Sequence, residues 1–265
     1  MTSQLAAPRR EDAHSTIGYL EYGPDGARLY SVGEETRLHA PPTAVLFACE
    51  NVLYDATVWE RWLVRLLRHV HVQIDQESFG RHWEQEFVPE IHCGHREFDE
   101  AFRDYLRQLG LTRGLIDEVA AASQGRRHEF LREARPLPSI RQTVMAISQQ
   151  GLALGLLADS ELGATDLERH LTRLGFGGRF QFLLSSVELG HTKADPEGYR
   201  AAAVRFGRPA ERIAFVGSHP QHLTAAARLG MPTIAFNYDN QARADLYLRQ
   251  FDELPAILKS WPLSG

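Results

Sequence analysis

Residues Ala44 to Asp55 read AVLFACENVLYD. The run AVLFA has the length and composition of a buried strand in a parallel sheet, where both faces are covered and apolar residues follow one another without alternation. At Glu50 and Asn51 the text turns polar, and an amphipathic segment begins near Thr57. A strand that ends in a short polar loop ahead of a helix is where open α/β sheets place their ligands. Within Ala48-Cys49-Glu50 the one ordinary oxygen nucleophile is the Glu50 carboxylate.

Downstream of this strand, Thr57 to Glu133 reads as helix. TVWERWLVRLLRHV sets Val58, Trp62, Leu63, Leu66 and Leu67 on one face at three- and four-residue spacing. Further helical patterns cover about Gln76–Phe87, Arg96–Leu109 and Thr112–Leu131, an all-helical insert of four or so helices. After Pro136 and Pro138 the pattern alternates. Strands are expected at Leu152–Ala158, Phe180–Ser186, Arg212–Gly217 and Thr233–Phe236, with helices between and after them. Five short strands alternating with helices predict a parallel, helix-covered sheet with right-handed crossovers. Upstream, IGYLEYGPDGARLYSVG (Ile17 to Gly33) predicts a β-hairpin turning at Gly23–Gly26, whose free edge could pair with another strand. The chain thus divides into an N-terminal extension (1–41), an α/β core made of 42–55 and 136–265, and a helical insert (56–135).

Composition excludes several classes. A net charge of −5 with dispersed basic residues argues against nucleic acid. No apolar run approaches a membrane span, and the start MTSQLAAPRRED lacks the apolar core of a signal peptide. Two cysteines, Cys49 and Cys93, are too few for a disulfide framework, so a reduced, cytoplasmic setting is expected.

From Pro42 onward the layout resembles the haloacid dehalogenase superfamily of phosphatases and dehalogenases, in the subgroup with a helical cap inserted after the first strand. The resemblance is carried by the opening stretch, by RPLPSIRQTVMAISQQGLALGLLADS, and by SSVELGHTKADPEGYRAAAVRFGRPAERIAFVGSHPQHLTAAARLGMPTIAFN. It implies a Rossmann-like α/β core with a cap. The family's first motif is a strand followed by Asp, any residue, Asp, where the first Asp is the nucleophile and the second the acid/base of the phosphatases. Ala48 and Glu50 stand at those positions. The family's strand-end Ser or Thr is Ala158 here, followed by Asp159 and Ser160. Its lysine is matched by Lys193. Its two Mg²⁺-holding acids correspond to Ser218 and His222.

A methyl group has no lone pair with which to attack, and Mg²⁺ wants several oxygen ligands, many of them carboxylate. The resemblance combined with these departures therefore implies no catalytic residue of the family type, no metal and no cofactor. The expected function is that of a catalytically degenerate relative, binding a small anionic metabolite or a protein partner, a second copy included. The alternative is a diverged hydrolase, or an enzyme of other chemistry, that uses Glu50, Asp159, His222 and Lys193 in the same pocket. Ordinary family phosphatase or dehalogenase activity lacks a nucleophile to support it. Candidate ligand-binding residues are Glu50, Asn51, Asp159, Ser160, Lys193, Ser218, His219 and His222.

Each candidate also has a plainer reading. Lys193 either holds an anion or serves as an ion-pair donor to Glu50 or Asp159. His191, His219 and His222 with Glu50 or Asp159 form a transition-metal set or simply fill loop space. Cys49 points away from the Ala48 side chain by strand alternation and reads as a buried, inert thiol. His92-Cys93-Gly94-His95 reads as surface or hinge. Trp59, Trp62, Phe79, Trp83, Phe87, Phe98 and Phe102 read as helix–helix core rather than pocket wall. Asp55 reads as the cap of the helix that follows.

Overall fold

The structure, a computed structural model, describes residues 19–23, 26–30, 40–238 and 240–261. The chain begins with β1 (Tyr19–Gly23) and β2 (Gly26–Tyr30), which pair antiparallel with Gly23 opposite Gly26. These two strands fall within the expected hairpin; its residues 17, 18, 24, 25 and 31–33 lie outside the described residues.

β3 (Ala44–Ala48) is buried at all five positions, as its unbroken apolar text requires. The insert follows. α1 (Val58–His69) buries Trp59, Leu63, Val64 and Leu67, so the inward face lies slightly around the helix from the one expected, with Trp62 and Leu66 at its margin. Next come α2 (Gln76–Phe79), a π-helical turn (Gly80–Phe87) and α3 (Val88–His92), which run on from one another. The long helices α4 (Phe98–Gln108) and α5 (Arg113–Glu133) complete the insert.

The core resumes with α6 (Ile140–Gln149), β4 (Ala153–Ala158), α7 (Ala164–Arg173), β5 (Phe182–Ser185), α8 (Ser186–Leu189) and α9 (Glu197–Phe206). It ends with β6 (Ile213–Gly217), α10 (Pro220–Arg228), β7 (Thr233–Ala235), β8 (Leu246–Tyr247) and α11 (Leu254–Lys259). The sheet order is β5-β4-β3-β6-β7-β8, parallel throughout. The sheet has six strands rather than the five expected. The sixth, β8, is two residues long and leaves no periodicity to read.

Two apolar clusters form. One surrounds the sheet; the other lies inside the insert. Chain entry and exit are tied together, because Tyr54 bridges both Glu50 and Pro136, and Leu137 N–H donates to Leu53 O at 3.0 Å. Among the described residues no helix is long and apolar enough to cross a membrane.

Candidate functional site

Four loops leave the carboxyl end of the sheet side by side: Glu50-Asn51 after β3, Asp159-Ser160 after β4, the Lys193 segment after β5 and α8, and Ser218 to His222 after β6. Together with the insert they enclose a cavity of about 700 Å³. Glu50, Asn51, Asp159, Ser160, Lys193, Ser218, His219 and His222 all line it. Ala48 and Ala158, each at the last position of its strand, are buried beneath the floor.

The first loop is held by its own backbone. Leu53 N–H donates to Cys49 O at 2.9 Å, and Asn51 N–H donates to Tyr54 O at 2.9 Å. Asn51 takes the left-handed conformation, φ 58°, which asparagine tolerates better than other side-chain-bearing residues. Its Oδ1 accepts from Ala56 N–H at 3.0 Å, and Asn237 Nδ2 donates to its carbonyl, also at 3.0 Å. Asn51 thus shapes the loop that presents Glu50. Asp55 is not the cap expected: the N-cap of α1 is Thr57, and Asp55, two residues earlier, accepts from the Thr57 N–H and hydroxyl and pairs with Arg61 at 2.8 Å.

At the centre Lys193 Nζ lies 2.5 Å from Glu50 Oε2, and the lysine side chain is 2% exposed. Burial by itself lowers the pKa of the ammonium. Glu50 and Asp159 outweigh it, and the pKa ends above the ordinary lysine value. Asp159 accepts from the Lys193 backbone N–H at 2.7 Å and faces His222 Nε2 at 3.4 Å. Burial first, then Lys193, His219 and His92, pushes the His222 pKa well below the usual value, so the ring is neutral. The His219 ring lies against that of His222, tilted by 38°, at 4.7 Å between centroids. Tyr199, fully buried, has its Oη 2.9 Å from Lys193 O and 3.0 Å from His222 O, and so locks these two segments together.

Some residues behave otherwise than the sequence suggests. His191 turns outward to Asp195 at 3.3 Å and does not line the cavity. His92, read as surface or hinge, faces the cavity instead, and burial drives its pKa down to about 4. Trp59, Trp83 and Phe98 belong to the insert's apolar cluster yet also form cavity wall. Arg127 was not singled out by any motif, since a lone arginine in a charged helix carries no signal. It lines the cavity, stands 3.3 Å over the Phe98 ring and pairs with Glu161 of the core. Cys49 is wholly buried, and burial followed by Glu50 pushes its thiol pKa well up.

The comparisons with known proteins agree with this architecture. The family model of haloacid dehalogenase-like hydrolases matches residues 42–230. A phosphoserine phosphatase from Thermus thermophilus is 33% identical over 135 residues, covering 49% of this chain and 50% of its own length. An (S)-2-haloacid dehalogenase from Pseudomonas putida is 29% identical over 167 residues, covering 60% of this chain and 65% of its own. The chain therefore aligns with about half of the first relative and about two thirds of the second. A crystal structure from Haemophilus somnus, described as a predicted phosphoglycolate phosphatase, superposes with a TM-score of 0.61 at 17% identity, over 82% of this chain and 98% of that one. At that identity the likeness speaks for the fold.

These relatives correct one expectation. The reading that no cofactor is involved does not stand, because the proteins this chain is similar to include phosphatases of a family whose implied ion is Mg²⁺. Two carboxylates reach the cavity floor, Glu50 held by Lys193 and Asp159 held by a backbone N–H. Among the described residues no group of three or more acidic, histidine or cysteine side chains is gathered so as to hold a metal. As arranged, the donors do not fit the family's Mg²⁺ site, and no step below runs through the ion.

Proposed function

The chain belongs to the haloacid dehalogenase-like hydrolase family, and from that premise we propose that it is a diverged enzyme acting on a small anionic metabolite held between core and insert. The substrates named for its relatives, phosphoserine and a 2-haloacid, are small molecules with a phosphate or carboxylate group. The observation that carries the reading is Lys193: a buried, charged ammonium on the cavity floor beside Glu50.

The chemistry has to bypass residue 48, whose methyl group cannot attack. Water is the remaining nucleophile. The Asp159 carboxylate favours the His222 tautomer with hydrogen on Nε2, which leaves Nδ1 as proton acceptor. Held neutral by burial, the ring is in the form that accepts a proton, although its low pKa makes it a modest base. Lys193 balances the negative charge that develops on the substrate, and Glu50 positions the ammonium.

The test is a panel of small phosphate esters and 2-haloacids, assayed with and without Mg²⁺. The reading expects turnover that falls about 10²-fold or more in His222→Asn, is lost in Lys193→Met and persists in Ala48→Gly. One observation, the methyl at residue 48, favours a second reading as a binding protein without turnover. Anion binding by calorimetry that depends on Lys193, with no turnover across the panel, would replace the first reading by the second.

A further inference from the structure

The charges around the cavity do not match a ligand that is only an anion. Five carboxyl groups line it, Glu50, Glu60, Glu84, Asp159 and Glu161, against two permanent cations, Lys193 and Arg127. Each cation is already paired, Lys193 with Glu50 and Arg127 with Glu161. The surplus negative charge gathers on the insert side. There two Trp-Glu pairs, Trp59-Glu60 on α1 and Trp83-Glu84 on the π-helical turn, are presented to the same space. The Glu60 and Glu84 carboxyls interact, and burial followed by Glu84 raises the Glu60 pKa to about 8, so near neutral pH the pair shares a proton and carries one negative charge, and a cation placed between them would favour release of that proton.

Further observations point to a ligand in this cavity. Trp59 and Trp83 stand 6.0 Å apart, and Phe98 lies 5.6 Å from each at a steep angle, so aromatic faces meet beside the two carboxyls. That wall already hosts a cation, because the Arg127 guanidinium sits over Phe98. The His92 side chain, which lines the same cavity, makes no hydrogen bond or ion pair with a described residue and lies near Arg127, Glu50 and Lys193. The π-helical register that carries Trp83 and Glu84 is itself a feature that recurs at functional sites.

We propose that the insert side of the cavity is a subsite for a cationic amine, and that the ligand carries an ammonium group there and its anionic group at Lys193. The inference rests on the reading of the cavity as a site for a small anion, and narrows that anion to a zwitterion. An ammonium between Glu60 and Glu84 supplies the positive charge the wall lacks, and its hydrogens have two carboxyls to donate to. A second carboxylate or phosphate at that position would meet like charge.

Two matched series test this by calorimetry on the full chain: phosphoethanolamine, phosphoglycolate and ethyl phosphate, then β-alanine, malonate and propionate. Within at least one series the ammonium-bearing member is expected to bind about tenfold or more tighter than the others, a difference of about 1.4 kcal/mol. Glu60→Gln with Glu84→Gln is expected to erase the preference while leaving the anion-only member's affinity unchanged. If the dianionic or singly charged members bind as well as the zwitterion in both series, the inference is overturned while the anion-site reading survives. If none of the six binds, the anion-site reading falls and takes the inference with it. The ligand comparison is made on the unaltered protein, so a misfolded variant does not obscure it.

Discussion

At Lys193 two opposing effects act on one ammonium. Its side chain is 2% exposed, whereas that of Glu50 is 22% exposed. Removing the carboxylate therefore leaves the more deeply buried charge without its partner. Glu50→Gln is expected to cost about 3 kcal/mol, and Lys193→Met less, since Glu50 retains some water. The double variant should recover much of the loss. Urea unfolding of the three variants gives the coupling directly, and additive losses would mean the pair does not stabilise as a unit. Both alternatives for Lys193, ion-pair donor and anion site, were readable in the sequence. That it sits at 2.5 Å from Glu50 was not, because 143 residues separate the two in the chain.

At the scale of elements, strands made of continuous apolar residues were legible to within a residue or two, since burial on both faces leaves only one kind of text. Gly155 in β4 is less obvious. A Cβ there would stand 2.6 Å from the Phe182 ring and 2.7 Å from that of Phe206, whose centroids are 4.6 Å apart. Gly155→Ala is expected to destabilise by about 1–3 kcal/mol through overpacking, read as a lower denaturation midpoint; an unchanged midpoint would mean the two rings yield freely. The π-helical turn was invisible in the sequence. GRHWEQEF has ordinary helical spacing, and the wider register is set by what Trp83 and Phe87 pack against.

For the whole molecule, three buried imidazoles set the response to acid. His92 in the insert and His170 in the core have pKa values lowered to about 4, and His222 lies well below its usual value. Their unfolded value is about 6.5. Between those limits the three histidines bind more protons unfolded than folded, so their contribution to stability is full above about pH 6.5 and is lost as pH falls toward 4, while Glu60, raised to about 8, works in the opposite sense over the same range. His170 Nε2 has no hydrogen-bond partner, and its ring packs on Tyr54 at 5.2 Å. In His170→Leu the plot of urea midpoint against pH should be shallower over that window than in the unaltered chain. Equal slopes would remove His170 from the account.

The sequence by itself determined the parallel α/β core, the position of the helical insert and the strand-end loops of a haloacid dehalogenase-like hydrolase. These follow from local periodicity and from motif spacing along the chain, both of which are linear properties. It also showed that the first core strand ends on a methyl-bearing residue, Ala48. Tertiary structure alone decided what the cavity offers a ligand. Glu60 and Glu84 come from different helices, Arg127 and His92 from elements of the insert far from the core loops in sequence, and the wall formed by Trp59, Trp83 and Phe98 exists only when the helices of the insert pack on one another. Charge balance in an enclosed space is a sum over neighbours, and which residues are neighbours is set by how the insert packs on the core.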